Sequence, residues 1–195
     1  MRVHPQLPNA ITIARILCAP VFLWMLLADG GAGGGLRWAA AVVFIVAIAT
    51  DGIDGYIARR YEIVSDLGKL LDPIADKALT GVAFVGLSIL GELDWWVTIL
   101  VLVREIGITI YRFLVVSDHV LAAAWMGKLK TVAQAVALSI ALLPLASLSE
   151  AAAWQSTVWW AGVVTMTIAV VLTIASGIDY VISEVRGARA KRSAR

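Results

Sequence analysis

The 195-residue sequence has one cysteine, two histidines and few charged residues. A single thiol, Cys18, cannot form an intrachain disulfide, and without a cluster of cysteine and histidine the sequence does not indicate a zinc site. Charged residues make up 15% of the chain and the formal net charge is only +2. This charge gives no support to nucleic-acid binding. We expect Cys18 to be a small buried residue within an apolar segment.

Hydrophobic residues make up 61% of the sequence and the mean hydropathy is +0.87, values typical of an integral membrane protein. Crossing roughly 30 Å of hydrocarbon takes about 20 apolar residues. Stretches of that kind fall at approximately residues 10–28, 36–57, 70–91, 95–116, 130–149 and 156–181. They are too long and alternate too poorly for barrel strands, so we predict an all-α protein with six transmembrane helices.

The first apolar stretch could also belong to a signal peptide, since Arg2 and His4 precede it. It is long for that role, lacks an A-x-A-like cleavage site and contains Arg15, so a mature six-helix protein is the better interpretation. We predict one transmembrane domain over residues 1–185. Residues 186–195 would then form a solvated basic tail that contacts anionic membrane lipids.

Lysine and arginine are distributed unequally between the two sides of the predicted helices. One side receives Arg2, Arg15, Arg59, Arg60, Lys69, Lys77, Arg104, Arg112, Lys128, Lys130, Arg186, Arg189, Lys191, Arg192 and Arg195. The other side receives only Arg37, together with Asp29, Glu92, Asp94 and Glu150. Because cytoplasmic loops carry the excess of Lys and Arg, this pattern predicts that both termini are cytoplasmic.

Four aspartates lie at the edges of these apolar stretches, where an ionised carboxylate is costly unless a partner or a function holds it. Asp51 and Asp54 lie near the end of the second helix, and Asp72 and Asp76 near the start of the third, so each pair shares a helix face. A short polar connection, from about residue 58 to 69, would bring the pairs to the same depth. Oxygen ligands suit hard cations, so a pair of divalent ions such as Mg²⁺ is the expected partner.

A second interpretation pairs the aspartates with nearby cations in interhelical salt bridges. Those cations are Arg59, Arg60, Lys69 and Lys77. Small residues on the same face would leave room for a ligand and favour a binding site; they are Gly52, Gly55, Ala58 and Gly68. A cation or proton-coupled carrier is a third possibility, but the aspartates lie near one end of their helices and the sequence has no apparent inverted repeat.

The spacing of these residues resembles the signature of the CDP-alcohol phosphotransferases, D-x2-D-G-x2-A-R-x8-G-x3-D-x3-D. Its positions are matched by Asp51, Asp54, Gly55, Ala58, Arg59, Gly68, Asp72 and Asp76. The resemblance implies a six-helix membrane fold that commonly forms homodimers. It also implies transfer of a phosphatidyl group from a CDP-linked lipid to an alcohol, with release of CMP.

The resemblance further implies roles for individual residues. The four aspartates would bind two Mg²⁺ or Mn²⁺ ions that bridge the donor pyrophosphate, and the last of them, Asp76, would also be the general base. The nucleotide would be contacted by Gly55 and Arg59, with Asn9, Thr12, Arg15, Ser65 and Asp66 around the donor site. Asn9 has a simpler role open to it as the cap of the first helix.

Three further segments bear on the acceptor: LPNAITIAR (7–15), REIGITIYR (104–112) and GKLKTVAQ (127–134). They resemble bacterial family members that transfer the phosphatidyl group of CDP-diacylglycerol to sn-glycerol 3-phosphate, at the cytoplasmic face of the inner membrane. Such a dianionic acceptor needs cations beyond the metal ions.

The candidate cations for the acceptor phosphate are Arg112 and Lys130 foremost, with Arg104 and Lys128. Alternatives stay open: Arg104 could form a buried ion pair with Glu105, and Lys128 could be an anchor at the membrane surface. A different acceptor, such as the phosphatidylglycerol used by cardiolipin synthases of this family, is the alternative reaction.

Overall fold

The computed structural model describes residues 7–60, 66–114 and 123–193, and side-chain surroundings for residues 12–50, 75, 77–111 and 125–186. Within these ranges the chain forms six α-helices and one short 3₁₀ turn, Leu145–Leu148. The helices are α1 (Leu7–Asp29), α2 (Gly35–Arg60), α3 (Asp66–Ile89), α4 (Trp95–Leu114), α5 (Ala123–Leu142) and α6 (Ala152–Ser193). The predicted all-α class and its six helices are confirmed.

Two helices of the described chain are long and apolar enough to span a bilayer by length and composition, over Thr12–Asp29 and Ala152–Arg186. Shorter apolar segments occupy Gly35–Thr50 and Lys77–Ile89. Polar and charged residues interrupt the other helices. This interruption is expected where a helix contributes to an internal site as well as to the lipid-facing surface.

The predicted bounds of the fifth helix were wrong by about two turns at each end. The apolar stretch suggested residues 130–149, whereas α5 runs from Ala123 to Leu142. Pro144 and the 3₁₀ turn follow the end of α5. Helix α5 does not continue past this point because proline lacks the N–H that the next helical hydrogen bond needs. Helix α5 begins earlier than predicted, at Ala123, and therefore includes Lys128 as well as Lys130. Helix α6 has 42 residues and continues through most of the predicted basic tail.

The core lies where α1 packs against α2 and α3, and it continues to α5. Phe22 of α1 and Phe44 of α2 are fully buried, with ring centroids 5.7 Å apart. Gly86 of α3 permits a close approach to α1, since a Cβ there would lie 2.6 Å from Leu26 Cδ2. Cys18 is half-buried rather than fully buried as predicted.

The outer surface of the bundle is rich in large apolar side chains. Trp24, Val103 and Trp125 are each more than half exposed, an arrangement that suits contact with lipid rather than with water. Trp95, Trp96, Trp159 and Trp160 are also exposed; the first two lie in the first turn of α4, and the other two lie about two turns after the start of α6. Tryptophan is enriched at the membrane–water interface, and these positions match that preference.

Arg37 is buried at the end of the bundle where α2 begins, and it binds several neighbouring elements. Its guanidinium donates to both Glu92 carboxylate oxygens, at 2.9 and 2.5 Å, and to the carbonyls of Ala141 and Leu142 at the end of α5, at 2.9 and 2.8 Å. Its backbone N–H donates to the Asp29 carboxylate, which also caps Gly33 and Gly34. One buried cation therefore ties α2, the α3–α4 connection and α5 together.

Replacing Arg37 by Met should lower stability by about 1–3 kcal/mol, because Glu92 and two helix-end carbonyls lose their donor. The cost stays below the roughly 3–5 kcal/mol of a fully buried pair, since the Glu92 side chain is 33% exposed. Thermal unfolding in detergent would measure it. The matched control is Arg186→Met, at an exposed position of α6, which should leave the midpoint unchanged. Equal midpoints for the two variants would contradict the assigned role of Arg37.

Candidate active site

The four signature aspartates lie on two consecutive helices. Asp51 and Asp54 belong to α2, and Asp72 and Asp76 to α3. Both pairs therefore have the helical spacing that places two carboxylates on one face. Asp51 lies about 21 Å along α2 from Arg37, at about 1.5 Å per residue, so the aspartates belong to the end of the bundle opposite the Arg37 network.

Several predicted site residues have side chains outside the described set, and their roles stay predictions. They are Asn9, Asp51, Asp54, Gly55, Arg59, Asp66, Asp72, Asp76 and Arg112, while Ser65 lies outside the described chain altogether. Among the side chains that are described, no three His, Cys, Asp or Glu residues could jointly hold a metal ion. The ligands expected for the divalent ions are Asp51, Asp54, Asp72 and Asp76, whose side chains are not among those described.

Helix α1 contributes two polar residues to the interior. Thr12 and Arg15 are 2% and 4% exposed, and their spacing of three residues puts them on the same face of the helix. Both side chains take part in polar interactions. Placing a threonine and an arginine inside an apolar bundle is costly unless they are held there, so α1 presents a polar face to the interior of the protein.

Glu105 of α4 is the centre of a cluster of charges. Its carboxylate accepts a hydrogen bond from Lys130 Nζ of α5 and one from Arg104 Nη1 at 3.0 Å. Lys77 Nζ of α3 lies 3.7 Å from the other carboxylate oxygen. Glu105 and Lys130 are 8% and 4% exposed. Three cations from three helices therefore meet at one buried carboxylate.

Lys77 connects this cluster to the aspartate signature. Its Nζ also donates to the backbone carbonyl of Glu105 at 3.2 Å and to the Thr109 hydroxyl. Lys77 follows Asp76 directly in the sequence. The segment of α3 that carries the last signature aspartate is thus held against α4, in the same region as the Glu105 carboxylate.

Polar side chains of α6 support the cluster from the other side. Arg104 Nη2 donates to the Ser176 hydroxyl at 2.9 Å, and Gln134 Nε2 donates to the Thr173 hydroxyl at 2.9 Å. Gly177 leaves space for the Arg104 side chain, whose Cγ would be 3.5 Å from a Cβ at that position. These contacts fix Arg104 against α6.

The candidate acceptor residues do not all come together. Arg104 and Lys130 meet through Glu105, which agrees with the open alternative of a buried Arg104–Glu105 pair. Lys128 is exposed, because two residues of separation turn it roughly to the opposite face of α5 from Lys130. That position fits the alternative of an anchor at the membrane surface.

Two features were not predicted from the sequence: the position of Glu105 at the centre of the charge cluster, and the hydrogen bonds between α5 and α6. A signal was present, since Lys130 and Gln134 are four residues apart on α5 and Thr173 and Ser176 are three apart on α6. Polar residues with that spacing in otherwise apolar helices mark a common interior face. Nothing in the sequence indicated that Lys77, Arg104 and Lys130 would share one carboxylate.

Comparison with known proteins places the chain in a family. The sequence model of the family described as CDP-alcohol phosphatidyltransferase matches residues 5–175. The chain therefore belongs to this family, whose members are membrane proteins and generally depend on divalent metal ions. The resemblance inferred from the aspartate signature is confirmed.

Three relatives are similar to this chain over most of its length. A Mycobacterium tuberculosis (strain H37Rv) protein named "Probable phosphatidylglycerophosphate synthase" is 43% identical over 181 residues, which cover 93% of this chain and 82% of the relative. Proteins named CDP-diacylglycerol--glycerol-3-phosphate 3-phosphatidyltransferase match from Bacillus subtilis and Escherichia coli. They are 38% identical over 71% of this chain and 77% of the relative, and 33% identical over 90% and 92%, respectively.

Proposed function

We propose that this protein transfers the phosphatidyl group of CDP-diacylglycerol to sn-glycerol 3-phosphate, producing phosphatidylglycerol phosphate and CMP. Family membership and the names of the relatives support the donor and the acceptor. The observation that carries the acceptor is that Arg104 and Lys130, from two different helices, both donate a hydrogen bond to the buried Glu105 carboxylate. Two cations held inside an apolar bundle suit a substrate that brings its own negative charge.

The donor site is built on α2 and α3. Asp51, Asp54, Asp72 and Asp76 are the ligands that we assign to two Mg²⁺ or Mn²⁺ ions, since all four offer the oxygen atoms that hard cations prefer. When bound, such ions neutralise phosphate charge during an in-line displacement. The remaining donor-site residues are Gly55 and Arg59 at the nucleotide, with Asn9, Thr12, Ser65 and Asp66 around it.

The reaction exchanges one phosphorus–oxygen bond for another. A hydroxyl oxygen of glycerol 3-phosphate forms a bond to the phosphorus of the phosphatidyl group, and the bond from that phosphorus to the CMP oxygen breaks. Asp76 accepts the hydroxyl proton as general base, and the bond electrons leave with CMP. Arg59 offers charged hydrogen bonds to the nucleotide phosphate.

The acceptor phosphate is assigned to cations on α4 and α5. Arg112 is seven residues after Glu105, about two turns along α4 on the same face, towards the end that adjoins the signature helices. Lys130 and Arg104 provide the deeper charges. Lys128 lies at the exposed edge of α5, where it can attract the phosphate from the membrane surface.

The orientation follows from the substrates and the charge distribution. Glycerol 3-phosphate and divalent ions are water-soluble and cytoplasmic, and the side rich in Lys and Arg carries the aspartate signature. We therefore place the active site and both termini in the cytoplasm of a bacterial cell, with the protein in the inner membrane. Family membership supports a homodimer.

Purified protein in detergent or vesicles should release CMP from CDP-diacylglycerol only when both a divalent ion and glycerol 3-phosphate are present. The assay compares glycerol 3-phosphate with inositol phosphate, serine and phosphatidylglycerol, each with Mg²⁺, with Mn²⁺ and with chelator. Equal CMP release with phosphatidylglycerol or another alcohol would overturn the proposed acceptor. The phospholipid product, identified by mass, separates true transfer from hydrolysis of the donor.

Asp76→Asn should lower the turnover rate by about 10²–10⁴-fold, the range for loss of general-base help, because the amide neither accepts the hydroxyl proton nor binds metal as a carboxylate does. The measurement is CMP release at saturating substrates. Glu150→Gln, on an exposed loop near the opposite end of the bundle, is the matched control and should retain full activity. Near-normal turnover by Asp76→Asn would refute the role of the base.

Arg112→Ala should raise the KM for glycerol 3-phosphate and leave the KM for CDP-diacylglycerol nearly unchanged. Loss of a charged hydrogen bond to phosphate corresponds to roughly a 10- to 100-fold effect. Arg112→Lys, which keeps the charge but not the planar fork, should recover part of the loss. An unchanged acceptor KM in Arg112→Ala would move the phosphate site elsewhere.

A further inference from the structure

Glu105 is a carboxylate that the proposed reaction does not use directly. It lies ten residues into the 20-residue helix α4, about 15 Å from the start of the helix, and is 8% exposed. An ionisable group buried in an apolar bundle is expensive and is normally held by partners or kept for function. The partners are clear, since Arg104, Lys130 and Lys77 all lie against it.

The balance of charge within the cluster favours an added anion. Glu105 carries one negative charge, whereas Arg104 and Lys130 carry two positive charges at hydrogen-bonding distance from it. These three groups together are therefore positive. An ammonium group has three donor hydrogens, and the one that Lys130 directs at Glu105 leaves two for another acceptor.

The same contacts limit where these cations can point. Lys130 comes from α5 and its flexible side chain ends at Glu105, while Arg104 is held between Glu105 and the Ser176 hydroxyl. Without the carboxylate, the two positive groups would repel each other in a medium of low dielectric constant. Each would then turn towards any other available acceptor.

We propose that Glu105 is a positioning residue for the acceptor: it holds Lys130 and Arg104 together, so that they jointly bind the phosphate of glycerol 3-phosphate. This inference rests on the proposed function and deepens it. Glu105 itself contacts no substrate and acts through the two cations. Because it offsets only one of their charges, the site selects acceptors that carry a phosphate over neutral alcohols.

The first test is a kinetic comparison of Glu105→Gln and Glu105→Asp with the unmodified protein. Glu105→Gln keeps the size but loses the charge, so the KM for glycerol 3-phosphate should rise about 10-fold or more, while the KM for CDP-diacylglycerol stays within about twofold. Glu105→Asp keeps the charge on a shorter side chain and should recover part of the loss. If Glu105→Gln folds poorly, the Asp variant still tests the acceptor KM.

The matched control is Glu92→Gln. Glu92 also forms an ion pair with a buried arginine, but at the opposite end of the bundle. This variant should lower the thermal midpoint without changing either KM. A purely structural role for Glu105 would give the same pattern in Glu105→Gln, namely lower stability and unchanged KM values. That pattern, or a lower acceptor KM, would overturn the proposal.

A second test separates this inference from the identity of the acceptor. Inorganic phosphate should raise the thermal midpoint of the unmodified protein and of Glu92→Gln, and should have a much weaker effect on Glu105→Gln. This result does not require turnover, so it tests phosphate binding at the cluster separately from the transfer reaction. No stabilisation of the unmodified protein by phosphate would overturn the phosphate site, whereas failure of glycerol 3-phosphate in the CMP assay would overturn only the proposed function.

Discussion

The contact between Glu105 and its three cations is the interaction on which the functional half of this bundle depends. Apolar side chains pack as well against lipid tails as against each other, so hydrophobic burial alone gives membrane helices little reason to associate in one specific arrangement. A buried carboxylate shared by α3, α4 and α5 supplies that reason. The Arg104–Ser176 hydrogen bond extends the connection to α6.

Arginine has different roles at the two ends of the bundle. At the Arg37 end, the guanidinium makes a paired contact with one carboxylate and two further bonds to helix-end carbonyls. Such a site has little capacity left for a ligand and serves the fold. Towards the signature end, three cations contact one carboxylate, and in the proposed acceptor site two of them, Arg104 and Lys130, bind the substrate phosphate. The difference lies in the ratio of charges rather than in the type of residue.

The membrane class, the number of helices and the family could all be predicted from the sequence. These follow from features of local sequence: apolar stretches of sufficient length, and aspartates with fixed spacing on two neighbouring helices. The bounds of α5 could not be predicted, because hydropathy measures the apolar stretch whereas Pro144 determines where the helix ends. The convergence on Glu105 could not be predicted either, since it depends on how α3, α4 and α5 turn relative to one another, and no local pattern reports that rotation.

The adjacency of Arg104 and Glu105 in the chain has a consequence for membrane insertion. Their side chains are paired within α4 itself, at 3.0 Å, so this helix can enter hydrocarbon with its two opposite charges already compensated. Lys130 has no such partner in the next turns of α5, whose neighbouring polar residue on that face, Gln134, binds Thr173 instead. Helix α5 therefore gains most by entering the bilayer beside an α4 that is already in place, and the order of the helices along the chain provides that sequence of events during synthesis.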